Sequence, residues 1–264
     1  MQRCRQWLKA ALIAGMFLIG VATVGAVMPV LSRLLGRRAA AVNDAIVVNW
    51  NRAVCRILNL HVHIGGNPDP SARLVVANHI SWLDIIALGA QGPCLFVAKR
   101  EVADWPVMGY LAKGIGTLFI DRGDIAQTAA VAEQMAWQLR QGKRLVLFPE
   151  GTTTAGDRVL RFHGKLFHPA QLAGVRVQAV ALRYGGAAKR CAPFVGEDEF
   201  LPHLIEILKL ERIDLYLHYC CAVPSGVGRD ELAQTTRKQI VAALDPEISS
   251  RRRRFAESRS VMNS

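Results

Sequence analysis

Leu74-Val75-Val76-Ala77-Asn78-His79-Ile80-Ser81-Trp82-Leu83-Asp84 is the stretch on which the fold turns. Its apolar start, with two adjacent valines, suits a strand buried on both faces, as in a parallel sheet. Two polar side chains, Asn78 and His79, end the run. Ser81, with Asp84 three residues on and apolar residues after it, then reads as the capping box of a helix. Strand, turn and helix in immediate succession are the unit of an α/β domain.

The same alternation continues along the chain. Residues 95–98, 117–120, 144–148, 176–182 and 213–219 read as further strands. Residues 125–141, stopped by Gly142, and 229–244, stopped near Pro246, read as helices. The expectation is an α/β domain over residues 67–248, with a central, mostly parallel sheet flanked by helices. Four of the strands run directly into chemically useful residues: Asn78-His79, Lys99-Arg100, Asp121-Arg122 and Pro149-Glu150-Gly151. If those strands are parallel, all four groups gather at one sheet edge, where open α/β sheets bind ligands.

His79 and Asp84 are five residues apart, about 140° around a continuous helix, so they would not meet inside one. They can pair only if His79 precedes the helix and the chain turns at Ile80-Ser81. Asp84 would then fix the imidazole tautomer and stabilise the imidazolium, while His79 takes a proton from an alcohol. The alternative is a helix-capping Asp84 beside an ordinary turn histidine. No G-x-S-x-G nucleophile elbow is present. The attacking group is therefore expected to be a substrate hydroxyl, with backbone N–H groups at the helix start holding the oxyanion.

The 264-residue chain carries a formal charge of +12 and is 51% hydrophobic. The excess of Lys and Arg suits anionic substrates or an anionic membrane surface. No zinc-finger spacing or aromatic RNP-like strand points to nucleic acid. The six cysteines make no C-x-x-C pair and no zinc site, which suits a reducing compartment without a disulfide framework. Residues 10–31 carry no charge and approach the ~20 residues that cross a bilayer. Residues 1–38 are expected as a membrane segment, a cleaved signal peptide being the alternative. Residues 39–66 are expected as an amphipathic helix, with Ile46, Val47, Trp50, Val54, Ile57 and Leu58 on one face. That face suits either the membrane interface or the domain core. Residues 249–264, with Arg251 to Arg254 in a row, read as a disordered or membrane-hugging basic tail.

Taken together, these strings resemble the glycerolipid acyltransferases of the 1-acylglycerol-3-phosphate acyltransferase type. The N-H-x-x-x-x-D block is similar to Asn78-His79 through Asp84. The second block is similar to Lys99, Trp105-Pro106, Gly109 and residues 116–122, and F-P-E-G-T stands at 148–152. A fourth, usually proline-bearing apolar strand is matched by 177–184, with Ala where proline is common. The resemblance implies an acyltransferase that makes phosphatidic acid from 1-acylglycerol-3-phosphate, or acts on another lysolipid such as lyso-ornithine lipid. Acyl-CoA or acyl-carrier protein would be the donor, with neither metal nor other cofactor. His79 would be the base and Asp84 its partner. Asn78, Lys99, Arg122, Glu150, Gly151 and Thr152 would serve the substrate, with Lys99 and Arg122 on its phosphate. The place would be a membrane, the inner one in a bacterium, with the domain facing the cytoplasm. Readings from other classes are a thioesterase and a non-enzymatic, membrane-anchored binding protein.

Overall fold

The computed structural model describes residues 2–121, 125–224 and 226–245, with only the backbone described at 2 and 125–128. Helix α1 (Gln2–Ala22) runs through a π-helical turn (Thr23–Val27) into α2 (Met28–Leu35), and a tight turn (Gly36–Arg38) leads to α3 (Ala39–Leu58). The domain continues as β1 (Leu60–Gly66), β2 (Ala72–Ala77), α4 (Leu83–Gly89), β3 (Leu95–Lys99), α5 (Met108–Gly114) and β4 (Leu118–Ile120). Then come α6 (Ile125–Arg140), β5 (Leu145–Leu147), α7 (His168–Ala173), β6 (Arg176–Gly185) and α8 (Ala188–Cys191). Helix α9 (Phe200–Lys209), β7 (Ile213–Tyr219) and α10 (Arg229–Leu244) complete it.

The strands form a seven-stranded sheet in the order β1-β7-β6-β2-β5-β3-β4. Among the described strands, only the β6–β7 pair is antiparallel. Strands β2 to β6 therefore all point one way, and their carboxyl ends share an edge.

Both faces of the sheet are covered, which is why β2 could be an unbroken apolar run. Val75 and Ala77 face a core shared with α3, α4, α9 and the middle of α1. Leu74 and Val76 face the opposite core, built with α6, α7 and α10. Leu74 and Leu147 are at most 1% exposed, and truncating either to Ala would cost about 2–5 kcal/mol. That is a large part of a domain's net stability, so the strands that deliver the site are rigid.

The segment 39–66 is not one helix. Helix α3 ends at Leu58, where Asn59 takes a left-handed conformation (φ 57°) and donates its N–H to the carbonyls of Arg56 and Cys55. Residues 60–66 form β1, an edge strand paired along its whole length with β7, so the sheet begins before residue 67. His61, His63 and two glycines hid it from a reading based on apolar runs. Helix α3 faces the core: Val48, Val54, Cys55 and Leu58 are buried, and it packs on α1 and α4.

The apolar N-terminal stretch does not stand free of the domain. Lys9 is buried, and its ammonium donates to the carbonyls of Leu58 and Leu210. Trp50 donates to the Met16 carbonyl, and Phe17 packs edge-on against Trp50 and Phe200. Further along, Val24 seats against Gly114, where an added Cβ would lie 2.1 Å from a Val24 methyl, so glycine permits the approach of α5. The outward side of α1 and α2 is greasy, with Trp7, Leu8, Leu12, Leu18, Ile19, Val30 and Leu34 exposed. Helix α3 then returns over the domain, and Asp44 pairs with Lys143 at 2.8 Å. The basic tail 249–264 lies outside the described residues.

Candidate active site

The chain leaves β2 at Asn78, turns at Ile80-Ser81 and enters α4 at Leu83. This places His79 before the helix, and its Nδ1 lies 2.9 Å from Asp84 Oδ2. The same oxygen accepts the backbone N–H groups of Ile80 at 2.8 Å and Ser81 at 2.9 Å. Capping the turn and pairing with histidine are thus not alternatives, because one carboxylate does both. Its other oxygen, Oδ1, accepts the Tyr184 hydroxyl at 2.6 Å, and Asp84 is 0% exposed. An ionised carboxylate only accepts, so Nδ1 carries the proton and Nε2 keeps a free lone pair. The imidazole is 17% exposed and stacks on Phe148, with ring centroids 3.8 Å apart.

Residues from the neighbouring strand exits hold this turn from behind. Glu150, after β5, accepts the His79 backbone N–H at 3.0 Å through Oε1 and the Leu160 N–H at 2.8 Å through Oε2. Thr154 donates its N–H to the His79 carbonyl, and Phe194 donates its N–H to the Ile80 carbonyl. Thr153 donates its hydroxyl to the Phe194 carbonyl. Burial pushes the Glu150 carboxyl above its ordinary value, against the pull of the Leu160 and His79 N–H groups. Burial also holds the Tyr184 phenol well above its usual range, with the Asp84 charge acting in the same sense. Tyr184 is therefore a protonated donor.

The remaining expected site residues divide. Asn78 is 1% exposed and exchanges two hydrogen bonds with the Leu182 backbone, tying β2 to β6 instead of reaching substrate. Glu150 is 4% exposed and turned towards the protein, not towards an open glycerol site. Lys99 is exposed at the end of β3, and Thr152 is exposed beside Gly151, whose φ of 74° suits the sharp exit from β5. Arg122 lies outside the described residues. Of the expected oxyanion donors at the helix start, Ile80 and Ser81 donate to Asp84, and the Leu83, Asp84 and Ile85 N–H groups have acceptors in the same turn. The carboxylate takes the donors that a reading of the cap alone left free.

Tyr184 and Phe148 are the partners that sequence reasoning missed. Residues 180, 182 and 184 alternate onto the α4 side of β6, so the period-two phase of that strand was the available signal. Among the described residues, no group of three His, Cys, Asp or Glu side chains is arranged to hold a metal ion.

Comparison with known proteins yields consistent matches. Residues 61–183 match the family model described as Acyltransferase. The chain is 37% identical over 247 residues to the lyso-ornithine lipid O-acyltransferase of Pseudomonas aeruginosa, covering 92% of this chain and 95% of that protein. It is 33% identical over 191 residues to the 1-acyl-sn-glycerol-3-phosphate acyltransferase of Neisseria meningitidis, covering 71% and 75%. In fold it is similar to the crystal structure of PlsC, the 1-acyl-sn-glycerophosphate acyltransferase of Thermotoga maritima. The TM-score is 0.66 at 19% identity, over 96% of this chain and 98% of that one.

Proposed function

This chain belongs to the acyltransferase family and is an acyltransferase, and on that basis we propose that His79 is the general base that drives acyl transfer to a lysolipid hydroxyl. The observation that carries the reading is the 2.9 Å bond from His79 Nδ1 to the fully buried Asp84. It leaves Nε2 as the nitrogen that can take a proton. As Nε2 removes the hydroxyl proton, the acceptor oxygen attacks the thioester carbonyl. The new C–O bond forms, the C–S bond breaks, and the imidazolium returns its proton to the leaving thiolate. Asp84 stabilises the imidazolium between these steps. The thioester is acyl-CoA or acyl-carrier protein, and the reaction as written needs no other cofactor.

The acceptor we favour is lyso-ornithine lipid, because the relative so named spans 95% of its own length with this chain at 37% identity. 1-Acylglycerol-3-phosphate is the second reading. It is supported by the neisserial relatives of that name and by the exposed cation of Lys99 at the sheet edge, with Arg122 as its expected companion.

The chain carries a helical stretch apolar enough to cross a membrane. We propose that it lies in one leaflet's interface on the cytoplasmic side, where thioester donors are found. A spanning helix would carry its far end ~30 Å away from the domain. Here both halves of the apolar stretch touch the domain, at Lys9 and at Val24, while the exposed side of α1 and α2 is apolar. Arg33, Arg37 and Arg38 are exposed at the hairpin turn and suit anionic headgroups.

The test is thiol release from long-chain acyl-CoA by wild type and His79→Ala in detergent, with each acceptor in turn and products identified by mass. Acceptor-dependent release that disappears in the variant supports the base, and the better acceptor decides between the two lipids. Release without any acceptor would instead mean hydrolysis. Silence with both acceptors and both donor carriers would overturn the reading.

A further inference from the structure

We propose that Tyr184 is a positioning residue for proton transfer, its hydroxyl pinning the second oxygen of Asp84 so that the first stays aimed at His79. The inference rests on the reading of His79 as the base and goes beyond it to a residue that never meets substrate.

Three of the four donors on Asp84 are local. His79 Nδ1 and the N–H groups of Ile80 and Ser81 all converge on Oδ2, from within five residues. They fix one oxygen but leave the carboxylate plane free to tilt about it. The fourth donor comes from another part of the fold: the Tyr184 hydroxyl, 100 residues away on β6, meets Oδ1 at 2.6 Å. Its ring lies with Val180 and Leu182 in the core between β6 and α4, so the hydroxyl cannot swing out to solvent. The bond is therefore set by the packing of a strand against the α4 turn, and it holds the carboxylate by the oxygen that His79 does not use.

This arrangement also sets how strongly Asp84 holds the imidazolium. A hydrogen bond into Oδ1 draws charge towards that oxygen and away from Oδ2. Without it the charge concentrates on Oδ2, the imidazolium is held more tightly, and His79 gives up its proton at higher pH. The ionisable groups facing His79 are Asp84 from α4, Glu150 from the exit of β5, with Arg237 of α10 acting on Glu150, and Tyr184 beyond Asp84. Replacing the Tyr184 hydroxyl leaves Glu150 and Arg237 in place and, among these groups, alters only the charge distribution on Asp84, while the Ser81 hydroxyl loses the phenol as a partner.

The experiment compares wild type, Tyr184→Phe, His79→Ala and protein with 3-fluorotyrosine placed at 184, an isosteric phenol of greater acidity. In Tyr184→Phe, kcat should fall about tenfold, the scale of one hydrogen bond to a charged group, with KM for both substrates nearly unchanged. The acid limb of the kcat–pH profile should move up in the Phe variant and down with fluorotyrosine. A merely structural hydroxyl would lower the melting temperature but move neither limb, so kcat is taken per folded molecule. Wild-type kcat and pH limbs in Tyr184→Phe, beside an inactive His79→Ala, would overturn this inference and leave the base in place. An active His79→Ala would overturn the base and this inference together. If the Phe variant does not fold, the fluorotyrosine protein decides alone, and an unmoved limb refutes the proposal.

Discussion

Replacing Glu150 by Gln separates two roles for a carboxylate at this place, contact with substrate and support of the backbone. Glu150 spends Oε1 on the His79 N–H at 3.0 Å and Oε2 on the Leu160 N–H at 2.8 Å, and is 4% exposed. Gln keeps the shape but has one acceptor, so one of these N–H groups must face an NH2. A buried donor left unpaired costs about 1–3 kcal/mol. Gln also carries no charge, and burial is the largest cause of the raised Glu150 pKa, so the substitution relieves some desolvation. The net loss expected at neutral pH is about 1 kcal/mol, or about 2–4 °C in melting temperature for a domain of this size. A carboxyl whose folded pKa is raised contributes stability below its unfolded value, and that contribution is lost as pH rises through the folded one. Wild type should therefore lose stability as pH rises above 4.5 while the Gln variant does not, and the gap between them should narrow. Thermal unfolding in detergent across that window measures this. Steady-state kinetics should show a lower kcat at nearly constant KM, because one of the two N–H groups held by this side chain belongs to His79. A raised acceptor KM with an unchanged melting temperature would instead put the carboxylate on substrate. A stability gap that widens with pH would refute the reasoning.

Asp84→Asn can keep its amide oxygen on His79, Ile80 and Ser81 while its NH2 faces the Tyr184 oxygen, so the protein should fold. Without the charge the imidazolium is unsupported, and kcat should fall about 10³–10⁴-fold; retention of a tenth of wild-type kcat would rule out the role. Gly109→Ala would put a Cβ 2.2 Å from the Ala103 carbonyl oxygen, backbone that has no flexible end to move aside. A loss of roughly 2 kcal/mol or more is expected as a drop in melting temperature, and an unchanged melting temperature would contradict that packing. Asp214, bonded to Arg212 and to His63, has its carboxyl held down to about 2 from 3.8. Its contribution is complete above the unfolded value and is lost as pH falls through the folded one. The stability advantage of wild type over Asp214→Asn should thus shrink between pH 3.8 and about 2 in acid titrations followed by circular dichroism; a constant gap would count against the pairing.

The β2–turn–α4 unit and the gathering of strand exits at one edge were legible in the residues alone. Both follow from local periodicity: an apolar run buried on both faces, a Ser-x-x-Asp cap, and polar residues where each strand stops. The one geometry in which His79 and Asp84 can meet was legible too, with helix capping by Asp84 left as the alternative, and the folded turn showed one carboxylate doing both. The partners of the buried carboxylates belonged to the tertiary structure. Glu150 meets the His79 N–H across 71 residues and Asp84 meets Tyr184 across 100. Nothing local distinguishes a carboxylate awaiting substrate from one already satisfied by distant donors. The same holds for the apolar N-terminal stretch, whose composition fits a membrane span but whose course over the domain is set by Lys9, Trp50 and the close approach of Val24 to Gly114. Hydrophobic length is a property of the chain, whereas the surface it covers depends on which buried groups of the folded domain hold it in place.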